Sequence, residues 1–190
     1  KVGWMPTYSA LNDPTHKKTE KDAKRNVVSP VNENGEVLEA VKEILTLIKE
    51  HGMILATGHI SKQETFILVK TAVEMGLKKI VITHPLTISV GTRLSIQEQV
   101  ELSEMGAYMD HCWVACFPQH SNVPLSDYSG AIRAVGVDKC ILSTDLGQLH
   151  NPRPAEGFSQ MLESYLSQGF TEDEIERMIK FNPSALLDLT

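Results

Sequence analysis

The chain has 190 residues, of which 42% are hydrophobic and 22% are charged. This is an ordinary globular composition, and the length suits roughly one domain with a sizeable core. The net charge of −6 disfavours nucleic-acid binding, because phosphate backbones select basic surfaces. No apolar run approaches the roughly 18 residues of a membrane span. The odd cysteine count of 3 excludes a fully paired disulfide framework. We therefore expect a cytoplasmic protein that binds neither nucleic acid nor membranes.

Short apolar runs alternate with amphipathic segments along the chain. Residues 1–6 predict a first strand, and the polar stretch 7–35, which contains a basic segment, predicts a long loop. Further strands are predicted over 53–57, 79–83, 107–112 and 139–143. Helices are predicted over 37–48, 61–75, 94–105, 127–135, 157–168 and 171–180, with a short last helix that begins at the cap Asn182. Capping-box patterns pair Ser61 with Glu64 and Thr171 with Glu174.

The spacing of the strands indicates the fold class. The last four predicted strands begin at positions 53, 79, 107 and 139, which lie 26, 28 and 32 residues apart. This is the rhythm of βα units in a parallel sheet. Two architectures fit one domain over 1–190: an incomplete (β/α)₈ TIM barrel, or an open parallel α/β sheet. A complete barrel typically needs about 250 residues, so about five of its eight units are expected here.

Each of the last four predicted strands ends in a polar residue that can bind a metal ion. His59, His84 and Asp145 follow three of them, and Asp110 and His111 lie in the fourth. Because the carboxyl ends of parallel strands meet at one edge, these side chains are expected to converge. Imidazole and carboxylate together suit Zn²⁺ or a similar divalent ion. The pattern predicts a metal site of His59, His84 and Asp145, with Asp110 and His111 as further site candidates.

These motifs resemble the amidohydrolase superfamily of metal-dependent barrels. Gly58-His59 is similar to its strand-5 histidine, Thr83-His84-Pro85 to its strand-6 histidine, and residues 143–145 to its strand-8 aspartate. More closely, the chain resembles a poorly characterised group of amidohydrolase-like proteins. That closer match lies in the segments 4–7, 56–61 with Glu64, 83–85, 143–148, 151–152, 156–157 and 182–183. The resemblance covers nearly the whole chain and implies a (β/α)₈ barrel in which residues 1–6 stand near strand 4.

The resemblance also implies that part of the barrel lies outside this sequence. The superfamily places a His-x-His pair after strand 1, and this sequence contains no His-x-His. An N-terminal segment, a partner chain or a second copy in a homo-oligomer is therefore expected to complete the barrel.

The activity that the resemblance implies is metal-dependent hydrolysis. Activated water would attack an amide, ester or related bond of a small molecule, with Zn as the expected metal and Mn or Fe as alternatives. Asp145 would be the catalytic residue that takes the proton of the water. Glu64, His111 and Gln148 would contact the substrate or orient the ligands. Two alternatives stay open: a metal-dependent lyase or decarboxylase on the same barrel, and a non-catalytic truncated barrel subunit.

Overall fold

Five parallel strands form one sheet in this computed structural model, which describes residues 1–12, 27–90 and 92–189. The strands are β1 (Val2–Trp4), β2 (Ile54–Ala56), β3 (Ile80–Thr83), β4 (Tyr108–Cys112) and β5 (Cys140–Ser143). Their order in the sheet is their order in the sequence, and every neighbouring pair is parallel. A doubly wound sheet would reverse its strand order, whereas a barrel wall keeps it sequential. The predicted fold class is confirmed as five consecutive strands of barrel type.

Seven α-helices are found in the described part of the chain, and they connect or follow these strands. They are α1 (Glu39–Glu50), α2 (Lys62–Glu74), α3 (Ile96–Glu104), α4 (Leu125–Val135), α5 (Pro154–Ser167), α6 (Glu172–Glu176) and α7 (Asn182–Leu186). Single 3₁₀ turns cover Trp113–Cys116 and Val137–Lys139. Both predicted capping boxes are confirmed at the starts of α2 and α6. The strands are shorter than predicted. Met5, for example, lies beyond the end of β1, although its side chain is buried and its backbone N–H donates to the carbonyl oxygen of Ala56 at 2.8 Å.

The C-terminal helices differ from the prediction. The helix that begins as α6 passes through a π-helical turn at Arg177–Phe181 and continues into α7 without a break. Asn182 is therefore not a helix cap, and that prediction was wrong. Its side chain instead donates hydrogen bonds to the carbonyl oxygens of Val137, at 2.8 Å, and Cys140, at 2.7 Å. Pro183 has no N–H to donate to the preceding turn, and a π turn is one way for a helix to absorb that loss.

The main core lies between the sheet and α1 to α6. Alternate strand residues such as Leu55, Ile82 and Met109 are fully buried against the helices. A smaller cluster occupies the opposite face, where Leu186 of α7 packs on Ile54 and Val81. In a barrel this second face lines the interior. The helices thus cover one face of the sheet, and α7 covers only part of the other.

The connection between β1 and α1 is described in part. Ala10 bridges Val28, and Val31 bridges Val37, so both described ends of the connection pair locally. The middle of the predicted loop 7–35, including its basic segment, lies outside the described residues. Within the described ranges, no helix combines the length and apolar character needed to cross a membrane.

Candidate functional site

The turn after β2 brings His59 to the carboxyl edge of the sheet. Gly58 has a φ of +64°, and a Cβ atom at this position would lie 2.5 Å from the carbonyl oxygen of Met5 and 2.6 Å from that of Pro6. Only glycine avoids both the steric clash and the left-handed strain. The backbone N–H of His59 then donates to the carbonyl oxygen of Pro6 at 2.9 Å, which ties this turn to the end of β1.

His84 follows β3 and lies against His59. The centroids of the two imidazole rings are 5.3 Å apart, with 65° between the ring planes. His84 is buried and has a left-handed backbone with a φ of 55°. Burial, assisted by the nearby charge of His59, lowers the pKa of His84 to about 4. The ring is therefore neutral at pH 7, and its Nδ1 atom has no hydrogen-bond partner among the described residues.

Asp145 reaches the same place from the loop after β5. Its Oδ2 atom lies 3.8 Å from Nε2 of His84, and its side chain is 48% exposed. Its backbone is also left-handed, with a φ of 49°. Partial burial raises the pKa of the Asp145 carboxyl, and the positive charges of His59 and His120 oppose that increase. The structure thus places His59, His84 and Asp145 together at one edge of the sheet.

The three side chains are neighbours, but they do not form a closed coordination shell. In the described ranges, no three His, Cys, Asp or Glu side chains are arranged to hold a metal ion. The donor types nevertheless fit a divalent cation, because a metal ligand needs a neutral imidazole with a free lone pair. The neutral ring of His84 meets that requirement, and its Nε2 atom is the ring nitrogen that lies beside Asp145, 3.8 Å from Oδ2.

Asp110 and His111 lie on opposite faces of β4. Asp110 faces the barrel interior, where its Oδ1 atom accepts a hydrogen bond from the Ser143 hydroxyl at 2.7 Å. Burial raises the pKa of Asp110 to about 6. His111 points into the helix layer, with its ring 5.3 Å from that of Tyr128, and burial lowers its pKa to about 3. The structure therefore does not bring His111 to His84 and its neighbours.

Glu64 is held at the start of α2. Its Oε2 atom accepts from the backbone N–H of Ser61 at 2.6 Å, and its Oε1 atom accepts from the Ser29 hydroxyl at 2.5 Å. The carboxylate is buried. Both of its oxygens are therefore engaged in capping the helix and fixing the connection before α1, rather than in contact with His84 or Asp145.

Gln148 does reach the site, through the backbone of Asp145. Its Nε2 atom donates to the Asp145 carbonyl oxygen at 2.9 Å, and its Oε1 atom accepts from Asn151 at 2.6 Å. His120, which the sequence analysis did not single out, is half-buried and contacts Asn151. His120 lies eight residues after the end of β4, and no sequence pattern there indicates a site residue. Tyr8 also carries no signal in the sequence, and its ring lies 6.3 Å from that of His59.

The fold and this cluster define a partial barrel of the (β/α)₈ type with polar residues at the carboxyl edge. The chain belongs to a family of unknown function, DUF6282, whose model matches residues 1–110. No curated protein sequence matches the chain.

The fold of this chain resembles the solved structures of several hydrolases. The organophosphorus hydrolase from Deinococcus radiodurans has a TM-score of 0.58 and 17% identity, over 75% of this chain and 48% of that one. The dipeptidase AC, a metallo peptidase, has a TM-score of 0.63 and 16% identity, over 85% and 49%. A Pseudomonas putida protein assigned as a 2-pyrone-4,6-dicarboxylic acid hydrolase has a TM-score of 0.57 and 16% identity, over 98% and 71%. The chain spans about half the length of the first two.

Proposed function

We propose that this chain carries part of the active site of a metal-dependent hydrolase of the amidohydrolase type. The observation that carries the proposal is the meeting of His59, His84 and Asp145 at the carboxyl edge of the sheet. His84 lies between the other two, with its Nε2 atom 3.8 Å from Asp145 and its ring 5.3 Å from that of His59. The similar folds described above belong to hydrolases, which agrees with this assignment.

Zinc is the expected ion, with manganese or iron as alternatives. Two imidazoles and a carboxylate suit all three of these ions. His59, His84 and Asp145 would hold the ion. When bound, a divalent ion lowers the pKa of water and polarises a carbonyl or phosphoryl oxygen of the substrate. The substrate is a small molecule with an amide, ester or related bond.

Asp145 is suited to proton transfer. Its side chain is 48% exposed, so it reaches solvent while it remains beside His84. As a carboxylate it takes a proton from water, and it then gives that proton to the leaving group. Gln148 holds the Asp145 backbone. His111 lies in the helix layer and Glu64 in a helix cap, so this proposal assigns neither of them a contact with substrate.

A complete barrel of this type has eight strands, three more than the five described here. Within the described residues, β1 and β5 are sheet edges without a further partner strand, and the interior face holds an apolar groove of about 150 Å³. Trp4 stands on that face and is 56% exposed. A segment before residue 1, a partner chain or a second copy would supply the missing strands. Light scattering tests for the second copy, because a homodimer has twice the mass of the chain.

A zinc titration tests the proposed site. Calorimetry on the wild-type chain is expected to give about one equivalent of bound Zn²⁺. We expect His59→Ala, His84→Ala and Asp145→Asn each to weaken binding by about tenfold or more. The first two remove an imidazole donor, and the third removes the negative charge of the carboxylate. The control His51→Ala changes an exposed histidine at the end of α1 and should bind as the wild type does. If His84→Ala binds zinc as tightly as the wild type, the proposed site is wrong.

The alternative of a non-catalytic subunit has one observation in its favour. In the part of the chain that the structure describes, no three potential ligands form a ready-made metal shell. Absence of zinc binding, together with absence of hydrolysis of esters, amides and phosphotriesters by the completed assembly, would favour that alternative.

A further inference from the structure

The backbone of Asp145 needs support from its surroundings. Its φ of 49° is unfavourable for a residue with a Cβ atom, and such conformations persist where neighbouring groups hold them. One support is visible. The side-chain amide of Gln148 donates to the carbonyl oxygen of Asp145 at 2.9 Å.

Asn151 in turn holds Gln148. Its Nδ2 atom donates to Oε1 of Gln148 at 2.6 Å, and its backbone N–H donates to the Gln148 carbonyl oxygen at 3.0 Å. The Gln148 side chain is exposed, so these bonds are what orient it toward Asp145. Loss of the Asn151 side chain would leave the Gln148 amide free to turn into solvent.

The same Asn151 amide also reaches the loop that follows β4. Its Oδ1 atom accepts from Nε2 of Gln119 at 2.8 Å. Nε2 of His120 lies 3.0 Å from Nδ2 of Asn151 and 3.2 Å from its Oδ1. Because the amide offers a donor and an acceptor, it can bond the imidazole in either protonation state. One side chain thus joins two loops that are about 30 residues apart in sequence.

We propose that Asn151 is a positioning residue of this site, whose amide ties the loop after β4 to the loop after β5. It thereby keeps Asp145 in its left-handed conformation and holds His120 against the loop that carries Asp145. The inference rests on the proposed function for the role of Asp145, but the tie between the loops is independent of that role. His120 contacts Asn151, and Asn151 reaches Asp145 through Gln148. Loss of the tie should therefore disturb both loops at once.

Two measurements test the proposal on the whole chain, with Asn151→Ala, Gln148→Ala and the double variant. Asn32→Ala is the matched control. It also loses side-chain bonds within an exposed loop, to Asn34 and Glu36, but it does not contact Asp145. Amide hydrogen exchange without metal reports on residues 145–151. Titration with cobalt(II) chloride, followed by its visible absorption, reports on the ligand geometry.

The expected result is faster exchange over 145–151 and about tenfold weaker cobalt binding in Asn151→Ala, as is typical when a group that orients a ligand is lost. The double variant should show the same exchange rates and cobalt affinity as either single variant, because both substitutions break the same series of contacts. The control should match the wild type in both measurements.

The outcomes separate this inference from the proposed function. Unchanged exchange in Asn151→Ala overturns the inference whatever the metal does. Faster exchange with unchanged cobalt affinity also overturns it, since Asn151 would then order the loop without positioning Asp145. If the wild type binds no cobalt, or if His84→Ala binds it equally well, the proposed metal site fails. Exchange then still decides whether Asn151 holds the Asp145 loop.

Discussion

The buried imidazole of His111 makes the stability of this protein depend on pH. The side chain is 1% exposed, and neither ring nitrogen has a hydrogen-bond partner among the described residues. Burial lowers its pKa in the folded state to about 3, from an ordinary value of 6.5. The unfolded chain therefore binds a proton more readily than the folded chain. The contribution of the neutral His111 imidazole to the free energy of unfolding is therefore fully present above pH 6.5. It is lost as the pH falls toward 3, because the unfolded chain takes up a proton there.

The size of the effect follows from the two pKa values. Between pH 7 and pH 5, protonation of the unfolded state lowers the free energy of unfolding by about 2 kcal/mol. His111→Phe keeps a planar ring beside Tyr128 but cannot take up a proton. Its free energy of unfolding should therefore fall by about 2 kcal/mol less than that of the wild type over this interval.

Urea unfolding at pH 7 and pH 5 measures the difference. His51→Phe makes the same substitution at an exposed position and is the control. Other buried groups, including His84, contribute equally to the wild type and to the variant, so they cancel in the comparison. An equal loss of stability in the wild type and His111→Phe would refute burial of a neutral imidazole as the cause.

Two further predictions concern the sheet and its core. Gly58→Ala should lower the free energy of unfolding by more than about 1 kcal/mol, because a Cβ atom would lie 2.5 Å from a backbone carbonyl oxygen. Gly52→Ala, at a φ of +59° with no atom within 4 Å, suffers only the backbone strain and should lose less; equal losses would contradict the steric argument. Leu45→Ala removes a fully buried side chain of α1 and should cost about 2–5 kcal/mol in urea unfolding. Leu47→Ala is its control, since that side chain is 54% exposed, and a comparable loss there would show that α1 packs by its other face.

The sequence predicted the sheet because buried parallel strands and helix ends carry local signals. Apolar runs mark the strands, and glycines such as Gly76 and Gly106 end helices with positive φ. The convergence of His59, His84 and Asp145 followed from topology alone, because each stands just after a strand. No long-range contact had to be known to place them at one edge.

The contacts that the sequence could not predict are long-range or depend on which face is buried. Alternation puts Asp110 and His111 on opposite faces of β4, but it does not say which face meets the helices. Asn151 and His120 meet across 31 positions, and Glu64 meets Ser29 across 35, with no local pattern to announce either pair. Asn182 followed by proline is typical of a helix start, whereas a π turn carries the helix through it.

The left-handed residues at the strand ends support a functional role for the site. Gly58 adopts this conformation without a side chain, but His84 and Asp145 adopt it with one. Glycine would relieve their strain, so local stability does not explain the presence of these two side chains. Strained residues of this kind cluster at active sites and ligand-binding sites, where the side chain is needed for something other than folding.

The strained backbone of Asp145 predicts that Asp145→Gly separates stability from metal binding. Relief of the left-handed strain offsets the extra freedom of glycine in the unfolded chain, so the free energy of unfolding should change by less than about 0.5 kcal/mol. Asp127→Gly, in the first turn of α4, has no such relief and should cost about 1 kcal/mol in urea unfolding. Zinc affinity should fall only in Asp145→Gly. If Asp145→Gly costs as much stability as Asp127→Gly, the aspartate is there to hold the loop, and its strained backbone is no argument for a catalytic role.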